Sequence, residues 1–150
     1  MPVVEITRHI EAPPSEVWSF VSDIYKVPEW VTVTEEMIET TDNPVRKGTV
    51  YRELSKIGPS KSESEWRVTV FEPEDVQVHE TEEPSFQATL TMKVEEEGEG
   101  TKFTHRTEYK LMPVFRPLGW LLEKLFASSM MERNLTQTVD NAARMIESSD

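Results

Sequence analysis

The sequence predicts an α+β fold, a curved antiparallel sheet of six to seven strands wrapped around one long C-terminal helix, with two short helices after the first strand. Three observations carry this. Between Val31 and about Leu111, runs of roughly 7–12 residues with period-two character alternate with turn signals such as Asn43-Pro44, Gly48, Gly58-Pro59, Pro73, Pro84 and Gly98/Gly100. From about Pro117 to Ser148 there is one long amphipathic stretch, with no proline after its first residue and no glycine beyond Gly119. Near the start, IEAPPSEVWSFVSDIYKVPEW places a double proline, a short helical pattern and a third proline in succession.

Each element follows from its own pattern. In residues 3–11, Val4, Ile6 and Ile10 share one face, and Glu5, Thr7 and His9 the other, as in a half-buried strand. Pro13 and Pro14 end it, and proline suits the first helical turn because its missing N–H has no partner there. Val17, Phe20, Val21 and Ile24 then recur at helical spacing as an apolar face, with Trp18 just off it, and Asp23 reads as a local cap. Strands are expected near 31–40, 49–56, 62–72, 75–82, 86–96 and 101–112. The alternation is clearest in FQATLTMKV, where Phe86, Ala88, Leu90, Met92 and Val94 share a face, and in FTHRTEYKL, where Phe103, His105, Thr107, Tyr109 and Leu111 do. The closing helix, with Leu118, Leu122, Leu125, Leu135, Val139, Ala142 and Ile146, is the one element long enough to cover the sheet. A twisted sheet cannot close tightly along a helix of that length, so a cavity between them is expected.

Length and composition bound the function. The 150 residues read most simply as one domain, 1–150, large enough to bury a core. Cysteine is absent, which excludes disulfides, thiol nucleophiles and zinc-thiolate sites. The net charge of −12 argues against nucleic acid and anionic membrane surfaces as partners. MPVVEITRHIE lacks the pattern of a secretory signal, and LMPVFRPLGWLLEKLFASSMM is broken by Arg116, Glu123 and Lys124, so no stable membrane insertion and a cytoplasmic address are expected.

In order and spacing, the segments IEAPPSEVWSFVSDIYKVPEW, GTVYRE (48–53), WRVTVFEPED (66–75), EGEGTKFTHRTEY (97–109) and PLGWLLEKL resemble the START-like, or Bet v 1-like (SRPBCC), superfamily, specifically its polyketide cyclase/dehydrase-type branch. The resemblance spans nearly the whole chain. It implies the helix-grip fold and a hydrophobic pocket, but no particular reaction, because these are scaffold motifs shared by carriers, cyclases and receptors.

His105 is the foremost candidate for chemistry, placed mid-strand on the face of Phe103 and Tyr109; an imidazole there is either an acid–base group or a core-lining residue. Tyr109, roughly 13 Å along the strand, is too far for a direct hydrogen bond but could address the other end of an elongated ligand. The expected pocket comprises Trp30, Trp66, Phe86, Leu90, Met92, Phe103, His105, Tyr109, Phe115, Leu118, Leu122 and Phe126. Trp66 is read as sharing its inward face with Val68 and Val70, while His9 and His79 are read as solvent-facing. Parity leaves open whether Tyr51 and Glu53 or Val50 and Leu54 face inward. Arg8 has inward parity unless a bulge turns it out. No histidine-carboxylate spacing suggests a metal, no cofactor is expected, and no Gly-x-Ser-x-Gly or phosphate-binding glycine loop is present. The favoured reading is a protein that binds a small hydrophobic or aromatic ligand, lipid-like, polyketide-like or quinone-like. The alternatives are a cyclase/aromatase using His105 or Tyr109 as proton shuttle, and an interaction module or homodimer docking near Trp120.

Overall fold

The computed structural model of the chain describes residues 2–57, 60–84, 86–111 and 117–149, the side chains of 57, 60, 111 and 117–128 excepted. Strand β1 (Val3–Ile10) leads into helix α1 (Pro14–Ser22), a 3-10 turn (Ile24–Lys26) and helix α2 (Val27–Trp30). Strands β2 (Thr34–Thr40), β3 (Val50–Ile57), β4 (Ser60–Glu72), β5 (Val76–Glu82), β6 (Phe86–Glu97) and β7 (Gly100–Leu111) follow, and helix α3 (Pro117–Ser148) ends the chain. The seven strands form one antiparallel sheet in the order β1-β7-β6-β5-β4-β3-β2. Only the β1–β7 junction departs from sequence order, and it sets the first strand beside the last. This is the helix-grip architecture that the sequence implies.

Local chemistry explains the entry segment. Pro14 occupies the first turn of α1, where its missing N–H has no partner. The Asp23 carboxylate accepts from Tyr25 N at 3.2 Å, which opens the 3-10 turn. Trp18, read as lying off the apolar face, is the more buried ring. It packs on Phe71 at a centroid distance of 5.2 Å, whereas Phe20 is half-buried against Trp30.

The β1–β7 pairing depends on one glycine. A Cβ at Gly100 would stand 2.5 Å from the Ile10 carbonyl oxygen, so any side chain there would push the two strands apart. The register then sets Ile6 opposite His105 and Ile10 opposite Thr101, without a bulge. Arg8 therefore keeps its inward parity and reaches α3, its Nη1 donating to Asp140 Oδ1 at 2.6 Å.

In β4 the outcome differs from the sequence reading. A bulge between Val68 and Val70 inverts the alternation. Trp66 and Val68 face the concave side, but Val70 is turned to solvent at 36% exposure and Phe71 returns to the interior.

The core divides along the length of α3. Toward the C-terminal end, Leu135, Val139, Ala142, Ala143 and Ile146 are buried, and the two alanines let the helix approach the sheet closely. Val139, Ala142, Ala143 and Ile146 join Ile10, Val17, Trp18, Val21, Val94 and Phe103 in a packed cluster. A second cluster, Ile24, Val45, Tyr51, Trp66, Val68, Ala88 and Tyr109, lies toward the other side of the sheet. Asn141 Nδ2 donates to the Trp30 carbonyl at 3.2 Å, and Thr32 N donates to Thr138 Oγ1 at 3.1 Å. These bonds pin α2 and the turn after it to α3.

Candidate functional site

Beyond the packed end of α3 the sheet and helix part, leaving a cavity of about 140 Å³. That is close to the volume of about 150 Å³ known to hold a benzene molecule. Val21, Ile24, Val27 and Trp30 form one wall, β3 to β7 the floor, and Met130, Met131, Asn134, Leu135 and Thr138 the α3 side. The lining is predominantly apolar. Among the described lining residues there is no lysine or arginine.

Most of the sequence-expected pocket is placed here: Trp30, Trp66, Phe86, Leu90, Met92, His105 and Tyr109 all line the cavity. Phe103 does not. It is fully buried opposite Val94 and packs into the cluster with Ile10 and Val139, nearer the closed end of α3 than His105 is. Phe115 lies outside the described residues, as do the side chains of Leu118, Trp120, Leu122 and Phe126.

Two strands supply polar groups that the sequence reading did not put inside. In β3 the inward set is Tyr51, Glu53 and Ser55. The Tyr51 ring stacks parallel to Trp66 across the β3–β4 ladder at 6.3 Å, and Trp66 meets Phe86 edge-on at 6.5 Å. In β5, His79 is 2% exposed and lines the cavity, contrary to its expected solvent position. Val76 and Val78 occupy the convex face, while Gln77, His79 and Thr81 are the buried set.

These side chains form a directional chain of hydrogen bonds. Gln77 Nε2 donates to Ser22 Oγ at 3.1 Å, which leaves Gln77 Oε1 to accept from His79 Nε2–H at 2.8 Å. Burial, reinforced by His105, pushes the His79 pKa down to about 3, so the ring is neutral and Nδ1 carries a lone pair. The Tyr51 hydroxyl donates to that nitrogen at 2.7 Å. Burial, and then the neighbouring Glu53 charge, hold the Tyr51 pKa well above the usual phenol value, so the hydroxyl keeps its proton.

Glu53 is 7% exposed and lines the same cavity. Its Oε2 accepts from Thr34 Oγ1 at 3.0 Å. Burial raises its pKa from 4.5 to about 7, against the opposing hydrogen bonds from Thr34, Ser55 and Trp66. At the other side of the site, Trp30 and His105 meet edge-on at 6.2 Å. Trp30 Nε1 and His105 Nδ1 are both buried, and neither has a hydrogen-bond partner among the described residues. Burial lowers the His105 pKa to about 4. Among the described residues, no group of three or more histidines and carboxylates is placed to hold a metal ion, and no helix is long and apolar enough to cross a membrane.

The signal for Glu53 and Tyr51 was available in GTVYRELS. A strand whose two parities are both mixed is one whose inner face meets a cavity as well as a core. For His79 no comparable signal existed, because HETE beside two valines reads as an outer edge.

A family model described as "Polyketide cyclase / dehydrase and lipid transport" matches residues 1–147. Among solved structures, TTHA0849 from Thermus thermophilus is similar at a TM-score of 0.83 with 21% identity, over 99% of each chain. The Zhui aromatase/cyclase from Streptomyces sp. R1128 is similar at 0.81 with 16% identity, over 97% of this chain and 93% of that one. The di-domain ARO/CYC StfQ of the steffimycin biosynthetic pathway is similar at 0.77 with 13% identity, this chain spanning 51% of its length. At these identities the structural likeness establishes the fold. No curated protein matches.

Proposed function

From the premise that the chain belongs to the polyketide cyclase/dehydrase and lipid transport family, we propose that it binds a small, neutral, hydrophobic or aromatic ligand in the cavity between sheet and helix. The supporting observation is the cavity itself. It is apolar and close to the size of a single aromatic ring. Neutrality follows from the electrostatics. An anion entering a site with no cation on its described lining would forfeit its hydration uncompensated.

Calorimetric titration with 4-ethyltoluene tests the proposal. The expected result is saturable binding that is weakened about tenfold or more in Ala88→Leu, whose added carbons occupy the space the probe needs. Absence of binding, or equal binding by that variant, would contradict it.

A second reading, a cyclase or aromatase, draws its support from Glu53. Burial leaves His105 at about 4, neutral near pH 7 and weak as an acid or base there, which disfavours it as a proton shuttle. Glu53, at about 7, is the lining group matched to proton transfer near neutrality. On this reading Glu53→Gln abolishes cyclisation of a polyketide chain while His105→Gln retains most of it. Full turnover by Glu53→Gln would remove the role.

A further inference from the structure

Glu53 is the one carboxyl among the described residues that line the cavity, and no lining cation is described to match it. From β2, Thr34 Oγ1 donates to its Oε2 at 3.0 Å. Along β3, Tyr51 and Ser55 share its inner face, and on β4 the buried Ser64 stands opposite it, with Trp66 two residues on. The other titratable groups on the described lining are His79 of β5 and His105 and Tyr109 of β7. Burial keeps both histidines neutral above about pH 4. The described part of α3 lines the cavity with uncharged side chains, Met131 and Asn134 among them. Arg52, next to Glu53 in the chain, follows the alternation of β3 to the outer face. There it pairs with Glu39 at 3.3 Å and Glu63 at 3.5 Å.

A carboxyl so placed responds to whatever fills the space beside it. Glu53 is 7% exposed and belongs to the wall of a cavity of about 140 Å³, so a hydrocarbon occupant strips hydration from it. That loss costs the ionised form far more than the neutral acid. Thr34 can donate to either form, so its bond offsets little of the difference. Burial already raises the pKa of Glu53 to about 7, and both forms are therefore populated near neutrality.

On the premise that the cavity is the binding site, we infer that it takes up its neutral ligand together with one proton, which adds from solvent to the Glu53 carboxylate. Carboxylate and proton combine to the carboxylic acid, and no bond of the ligand changes. The coupling is reciprocal: protonation strengthens ligand binding, and the bound ligand holds the proton more tightly. A rise in pH through neutrality then releases the ligand.

4-Ethyltoluene has no titratable group, so any pH dependence of its binding belongs to the protein. With the protonated site as the competent form, apparent affinity follows the protonated fraction, roughly nine-tenths at pH 6 and one-tenth at pH 8. Calorimetry on the wild type is expected to show binding roughly tenfold weaker at pH 8 than at pH 6. Titrations at pH 7 in phosphate and in Tris, which differ in heat of ionisation, should show uptake of about half a proton per ligand bound. Glu53→Gln keeps the size of the side chain without its charge, and it should lose both the pH slope and the proton uptake. Comparison with that variant also removes any contribution from His9, which is paired with Glu11 and Glu97 away from the cavity lining. The inference is overturned if the wild type binds equally at pH 6 and pH 8 or takes up no proton, whether or not the variant folds. It is equally overturned if the slope survives in Glu53→Gln. In each of these cases the probe has bound and the cavity reading stands. If the probe binds at neither pH, the cavity reading falls and the inference with it.

Discussion

Glu53→Gln gives the sharpest thermodynamic test of how the site is built. The carboxyl is 7% exposed in the folded chain, and burial raises its pKa from 4.5 to about 7. The unfolded chain therefore gives up this proton near pH 4.5, whereas the folded chain holds it until about pH 7. Between those values the folded state binds more protons than the unfolded state, so stability falls as pH rises, and above about pH 7 the loss is complete. At about 1.4 kcal/mol for each tenfold change in proton affinity, the whole loss is about 3 kcal/mol. About 2.5 kcal/mol of it falls between about pH 5 and pH 8. Glutamine is nearly isosteric, still offers an oxygen to the Thr34 hydroxyl, and does not titrate. Urea unfolding of both proteins without ligand, at several pH values across that window, isolates the effect. The difference between them cancels the contributions of other groups, including the lowered values of His79 and His105 and the raised value of His9. The variant should gain on the wild type steadily as pH rises. A difference that stays constant within about 0.5 kcal/mol would mean that Glu53 is not held in a low-dielectric wall, and the reasoning would fail.

Three further outcomes follow from the same structure. Phe103→Ala should cost about 3–5 kcal/mol in denaturant unfolding, because a fully buried ring is removed from the packed cluster. Its affinity for 4-ethyltoluene should change less than twofold, since Phe103 does not line the cavity; a large loss of binding would return it to the pocket wall. The Arg8–Asp140 pair, with side chains 38% and 48% exposed, should show a coupling of only about 0.2–1 kcal/mol in a double-mutant cycle, diminished by salt. A much larger value would mean that β1 is anchored to α3 by charge more than by apolar packing. ¹⁵N NMR should find His79 neutral and protonated at Nε2 until pH is lowered toward about 3. An Nδ1–H ring would reverse the hydrogen-bond chain.

What could be read from the sequence depended on whether polarity and position agreed. In β6 and β7 they do: Phe86, Ala88 and Met92 alternate with polar residues, and the inward set lines the core and cavity as the period-two pattern requires. Pro14 and Asp23 are similarly legible because their roles are local, set by the missing N–H of one and the acceptor of the other. In β5 the two signals part. The apolar Val76 and Val78 lie on the convex face and the polar Gln77 and His79 inside, an inversion tolerated because the buried polar atoms find partners in each other, on β3 and on α1. Such a network joins residues 22, 51, 77 and 79, and no local pattern links positions so far apart in the chain. The β4 bulge escapes for a related reason. One extra residue between Val68 and Val70 changes the parity of the rest of the strand while leaving its composition unremarked. Phe103 had the correct face. Which stretch of that face meets the cavity depends on where α3 lifts from the sheet, and the alanines at 142 and 143 decide that from the other end of the molecule.

The central claim is that the space between sheet and helix is a binding site for a small neutral aromatic. A crystal structure of the wild-type protein grown with excess 4-ethyltoluene tests it most directly. Density for the probe is expected between Trp66 and Trp30, against Leu90 and Met131, with the surrounding strands unmoved. A structure in which those side chains close together and fill the space, with no probe between them, would contradict the account.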